Sequence, residues 1–192
     1  MTTLMKIAHA IALLSGLLTI VSANAATVSL APDSEVLVGE EFSLTLSMDF
    51  TDEPTLGGGI DIAWDPAFFT LVSWEAVPFG DPAFSREGIV DQESGYIEGF
   101  AFGDFNGLGG PADVAMATFV AAQAGRSDIV ARPDSFAGAN IAGCFVSLNT
   151  FQCQSVTFED ASLTVVPVPG AFWLALGGIS VLGGFRRDAR GR

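Results

Sequence analysis

Phe42-Ser43-Leu44-Thr45-Leu46-Ser47-Met48-Asp49-Phe50 alternates apolar and polar side chains without a break. Successive side chains of an extended strand point to opposite faces. A period of two therefore sends the phenylalanines, leucines and Met48 to a core and the hydroxyls and Asp49 to water. Ile60, Ile62 and Trp64 repeat the pattern against Asp61 and Ala63, and Asp65-Pro66 ends that strand by turn chemistry. Trp64 is expected in the core because it shares the phase of Ile60 and Ile62. Further strands are expected at 70–76, 96–102, 114–121, 127–131, 145–148 and 161–166. No stretch here holds a sustained helical period, and turn residues recur at the spacing of all-β sandwiches. The expected fold is all-β: a two-sheet antiparallel sandwich of jelly-roll type with roughly eight or nine strands.

The sandwich is assigned to residues 26–165, a length at which roughly two-thirds of the unfolded chain's surface is buried on folding. Val38-Gly39-Glu40-Glu41-Phe42 opens an alternating strand, and Gly58-Gly59-Ile60-Asp61-Ile62 leads to Trp64-Asp65-Pro66 and then Leu71-Val72-Ser73. Later come Ala117-Thr118-Phe119-Val120-Ala121, Ala124-Gly125 and Ile129. These segments resemble those of a cohesin-like domain. The resemblance implies a jelly-roll sandwich related to carbohydrate-binding modules, and it does not imply dockerin binding.

Both ends of the chain differ in kind from this middle. Lys6 and an apolar run over 7–21 precede Ala23-Asn24-Ala25, with Ala26 next, and this order describes a secretory signal peptide over residues 1–25, cut after Ala25. At the far end Val166-Pro167-Val168-Pro169-Gly170 precedes an apolar run over 171–185, closed by Arg186 and Arg187. The 15 residues of that run would span about 22 Å as a helix, a marginal transmembrane segment against a hydrocarbon core of about 30 Å. Arginines directly after such a run stay cytoplasmic, which leaves the middle exported. Residues 166–192 resemble the PEP-CTERM sorting signal of Gram-negative bacteria, with its motif at 166–170, its membrane segment and its basic tail at 186–192. The family's Glu is replaced here by Val168. The resemblance implies signal peptidase and an exosortase-type protease as processing partners, with Val166, Pro167, Val168 and Pro169 as the recognition element. It also implies a place at the outer surface or in the extracellular matrix, with the C-terminal helix as membrane anchor.

Charge excludes a class of partner. The chain carries a net −14, and its middle sets Arg86, Arg126 and Arg132 against 21 carboxylates. Nucleic acid needs basic residues, so it is not an expected ligand. Catalysis also lacks material, because the one histidine, His9, lies in the leader and the middle has no lysine. No triad or histidine metal site can form there. Carboxylate pairs suffice for glycoside hydrolysis, but no pair stands out. The expected role is a non-enzymatic interaction or structural protein without a required cofactor.

Cys144 and Cys153 are nine positions apart around a turn at Ser147-Leu148-Asn149-Thr150, and in an oxidising compartment they are expected to form a disulfide. Asp104, Asn106 and Asp113 put carboxylate and amide oxygens in a Gly-rich stretch, the donor type of a calcium site, although the terminal Glu and the regular Asp spacing of a calcium loop are missing. The competing role is therefore a calcium-assisted module that binds extracellular polysaccharide. An exposed, coplanar aromatic pair would favour it; wholly internal aromatics would favour the structural role.

Overall fold

The computed structural model describes residues 26–31, 34–135, 143–168 and 170. Thirteen strands run through them. They are β1 (Ala26–Ala31), β2 (Ser34–Leu37), β3 (Glu41–Asp49), β4 (Thr55–Ala63), β5 (Phe69–Ala76), β6 (Arg86–Asp91), β7 (Tyr96–Leu108), β8 (Ala112–Ala121), β9 (Gly125–Pro133), β10 (Phe145–Ser147), β11 (Cys153–Gln154), β12 (Val156–Glu159) and β13 (Ala161–Val166). One sheet has the order β12-β1-β3-β8-β5. The other follows β11-β10-β4-β9-β13-β2, with β7 paired to β4 and β6 to β7.

The alternation of β3 holds in three dimensions. Leu44, Leu46 and Met48 are buried, while Ser43 is exposed and Thr45, Ser47 and Asp49 are half-buried on the other side. Facing them across the core are Ile60 and Ile62 of β4, Phe100 and Phe102 of β7, and Leu163 and Val165 of β13. Aromatic rings close the gap between sheets. Phe50 stacks on Phe145 with centroids 5.2 Å apart, and Trp64 meets Phe119 edge-on at 5.4 Å. Trp64 is thus a core residue, as its phase requires.

The expectation of a purely antiparallel sandwich needs correction. β1 runs parallel to β12, and β13 runs parallel to β2, so both sheets are mixed. A period-two pattern states which face a side chain takes but carries no information on strand direction. The structure adds β1, β2, β6, β11 and β12 to the expected strands; β2, β11 and β12 are four residues or fewer, whereas β1 alternates cleanly, with Val28 and Leu30 buried.

The leader over 1–25, with Ala23 and Ala25, lies outside the described residues, as do Pro169, the apolar run over 171–185, and Arg186 and Arg187. Ala26, the first residue after the expected cut, is the first residue of β1. Val166 ends β13, and Pro167 and Val168 follow it, exposed. Among the described residues no helix is long and apolar enough to cross a membrane.

Candidate functional site

Two surfaces stand out. The first is the outer face of the five-stranded sheet. Registers align Ser29 with Ser47 and Asp113, Ser43 with Thr118 and Ser73, and Thr45 with Met116 and Glu75, so mostly polar side chains line up in rows of three across strands β1, β3, β8 and β5, with Met116 the apolar exception. The rows are held by their own hydrogen bonds: Ser43 Oγ and Thr118 Oγ1 lie 3.0 Å apart, and Ser47 Oγ donates to Asp113 Oδ1 at 2.6 Å. Strands β1, β3, β5, β8 and β12 contain five carboxylates and no Lys, Arg or His. Arg86, Arg126 and Arg132 all belong to β6 and β9 of the other sheet. The face is rich in hydroxyls and negative.

The second surface is a groove of about 280 Å³ on the opposite sheet. Gly57 and Gly59 of β4 and Ala101 and Gly103 of β7 line it, leaving strand backbone nearly bare. Its aromatic wall comes from two local devices. Between the pairs Gly57↔Gly103 and Thr55↔Leu108, β7 has four intervening residues and β4 has one, so Asp104–Gly107 bulges out of the sheet. This bulge lifts Phe105 to 75% exposure. A 3-10 turn at Pro82–Phe84, capped by Asp81 Oδ1 accepting from the Ala83 N–H, is tied to β7 by the Asp81 N–H on the Gly103 carbonyl at 2.8 Å. It brings Phe84 against Phe105, centroids 4.6 Å apart and rings at 74°. Those exposed rings form a corner, not the coplanar platform that stacking on a sugar chain uses.

Beyond the corner the groove is bounded by Arg86, whose guanidinium meets the buried Asp134 carboxylate at 2.5 Å and also donates through Nε to the Gly99 carbonyl. Next to this pair lies a buried carboxylate that sequence reading placed on the wet side of β4. Asp61 does point outward, but the chain at Asp134 and Ser135 folds over it. Its oxygens accept from Gly99 N–H at 2.7 Å, Tyr96 Oη at 2.5 Å, Ser135 N–H at 2.8 Å and Ser135 Oγ at 2.6 Å. Burial opposes ionisation of this carboxyl, but the donors from Ser135, Tyr96 and Gly99 outweigh it and hold Asp61 below the usual carboxylate range. Burial and the neighbouring Asp61 carboxylate push the Tyr96 phenol up. Three donors on Oδ2 and one on Oδ1 make Asp61 a structural anchor that ties β7 and the covering chain to β4. The missed signal was the Gly58-Gly59 pair preceding Asp61. A Cβ on Gly59 would sit 2.5 Å from Asp134 Oδ2, so the glycine makes room for the covering chain.

The expected disulfide is formed: Cys144 and Cys153 are bonded, with Cα atoms 5.4 Å apart. The calcium candidates are spread over both sheets. Asp104 Oδ1 accepts from the Asn106 backbone and side-chain amides at 2.7 and 2.9 Å, within the bulge of β7. Asp113 lies on β8 of the other sheet and is engaged by Ser47. Among the described residues no group of three His, Cys, Asp or Glu side chains gathers as a metal site.

No family model and no curated protein matches the chain. Solved structures do match. The seventh ScaB type I cohesin from Pseudobacteroides cellulosolvens superposes with a TM-score of 0.56 at 18% identity, over 75% of this chain and 94% of that one. A type I cohesin from Clostridium thermocellum, solved as an OlpC cohesin–dockerin complex, gives 0.57 at 12% identity, over 75% and 95%. A cohesin module of a family 33 glycoside hydrolase from Clostridium perfringens gives 0.52 at 11% identity, over 75% and 98%. At such identities the likeness is one of architecture, and the architecture of this chain is that of a cohesin-like β-sandwich.

Proposed function

We propose that this chain is an exported, non-enzymatic interaction module that docks a protein partner on the outer face of its five-stranded sheet. The observation that carries the reading is that face itself: lined with hydroxyls and carboxylates in register, and built from strands without a basic residue. Such a surface offers acceptors and negative charge, so its partner presents donors and basic side chains. The cohesin-like architecture supports the same reading, since one of the similar structures was solved with a dockerin bound. Engagement of Asp61 and Asp134 in hydrogen bonds and an ion pair agrees with a binding role.

Export and sorting complete the proposal. The leader over 1–25 directs secretion, and the Val166-Pro167-Val168-Pro169 motif with the apolar run and Arg186 and Arg187 delivers the module to the cell surface or matrix through an exosortase-type protease. Intact masses of the protein recovered from membranes, surface washes and medium test this part. Loss of the first 25 residues is expected, and full-length protein confined to the cytosol would refute export. The docking face is tested with a photo-crosslinking amino acid at Thr45, at Thr70, and at Asp128 on β9 of the other sheet. One discrete protein adduct is expected from Thr45 and Thr70 and none from Asp128; equal labelling from all three sites, or from none, defeats the reading. Polysaccharide binding is the weaker alternative, because the exposed aromatic pair is edge-to-face.

A further inference from the structure

We infer that the groove on the eight-stranded sheet is a second binding site, one that seats a single basic side chain, arginine or lysine, of a protein partner in the corner formed by Phe84, Phe105 and Asp104.

Three observations converge on it. Phe105, at 75% exposure, heads the exposed large apolar side chains among the described residues, and Phe84 beside it is 45% exposed. Two phenyl rings held in water on a strongly acidic surface gain little by leaving the core, and here both are built outward by dedicated backbone devices, the β7 bulge and the capped 3-10 turn. At 74° and 4.6 Å the edge of one ring rests on the face of the other, so a cation enters beside the pair, against a ring face the partner ring leaves open. Asp104 lines the same groove. Its Oδ1 is taken by Asn106, while Oδ2 accepts no hydrogen bond among the described residues. An aromatic corner with an uncommitted carboxylate suits a guanidinium or an ammonium.

Charge decides between occupants. The Arg86–Asp134 pair neutralises itself at the other end of the groove, which leaves Asp104 to set the local sign. The middle of the chain has three basic residues against 21 carboxylates, so a cationic side chain is drawn in and an anionic one repelled. The volume of about 280 Å³ lies just below the usual range for small-ligand pockets, which suits one extended side chain. The rings' mutual angle bars both from lying flat on one pyranose. The inference borrows from the docking proposal the notion that the partner is a protein, but it concerns the opposite sheet and stands or falls separately.

The test follows the ring resonances of the full chain, isotope-labelled at phenylalanine, by NMR during titration with the peptide Gly-Arg-Gly and with its neutral citrulline counterpart. Saturable shifts confined to Phe84 and Phe105 are expected with arginine and not with citrulline. Phe105→Ala should weaken the apparent affinity about three- to fivefold, the range of exposed cation–π contacts. Asp104→Asn should weaken it by a comparable factor that shrinks at high salt. Asp52→Asn, which removes one charge from an exposed loop elsewhere, should leave it unchanged. Equal loss from all three variants would reduce the effect to bulk charge and overturn the site. So would ring shifts with a neutral tetrasaccharide and none with the peptide. Thr45→Arg on the docking face should leave the titration untouched, which keeps failure of one site distinct from failure of the other.

Discussion

Asp61 shows what a single carboxylate does when its strand faces outward yet the chain folds over it. Its four donors persist only while it is charged, so the native state binds protons more weakly there than the unfolded chain does. Stability from Asp61 is therefore complete above the unfolded carboxylate value of about 4, and is lost as pH falls through its depressed folded value. Asp49, held down by the hydroxyl and backbone N–H of Thr51, and Asp91, held down by Ser94, titrate in the same direction. Urea unfolding of Asp61→Asn should show a loss of about 2 kcal/mol at neutral pH, with the gap to wild type narrowing as pH falls below the ordinary carboxylate range. A gap that stays constant would mean the charge is irrelevant. Trp64 could be placed from sequence because burial on the inner face follows from phase. Asp61 has the opposite phase, and its burial depends on Ser135, 74 positions away, which no local pattern encodes.

Among the elements, the β10–β11 hairpin is the one most dependent on a covalent link. β10 has three residues and β11 two, and the register pairs Phe145 with Gln154 and Val146 with Cys153. Such a hairpin has little hydrogen bonding of its own, yet it must hold Phe145, which fills the core against Phe50 and Phe102 and over Gly58. The Cys144–Cys153 bond offsets this by limiting the unfolded chain. Replacing both cysteines with serine should cost about 2–3 kcal/mol in the chain-entropy picture, or roughly 5–10 °C in Tm, read by thermal melts with and without reductant. Phe145→Ala should cost about 3–5 kcal/mol, since the cavity it leaves is walled by other rings. Strand β3 was legible because unbroken alternation marks it, and β5, β8 and β13 because apolar runs there are bounded by turn residues. The Asp104–Gly107 bulge was legible only as a turn-like composition: that it interrupts the β4 register and projects Phe105 depends on pairing with a partner strand 45 or more positions earlier.

Over the whole molecule the charge is divided by sheet, all three arginines of the middle lying on one and the proposed docking face on the other. The strand sequences contained this division, but it emerges only once topology assigns each strand to a sheet. The parallel pairing of β13 with β2 has its own bearing on how the molecule would carry load. β13 is hydrogen-bonded along both edges, to β9 and to β2, and leads straight to Val168. A tether pulling from that point draws the strand lengthwise, so two rows of bonds bear the tension together in shear instead of peeling open one after another. Single-molecule stretching should then find a higher rupture force with the handle at Val168 than at Asp91, the end of the edge strand β6, where pulling unzips one row. Gripping the last described strand on both sides would suit the proposed tethering at that end, with the other surfaces pulled by what they bind.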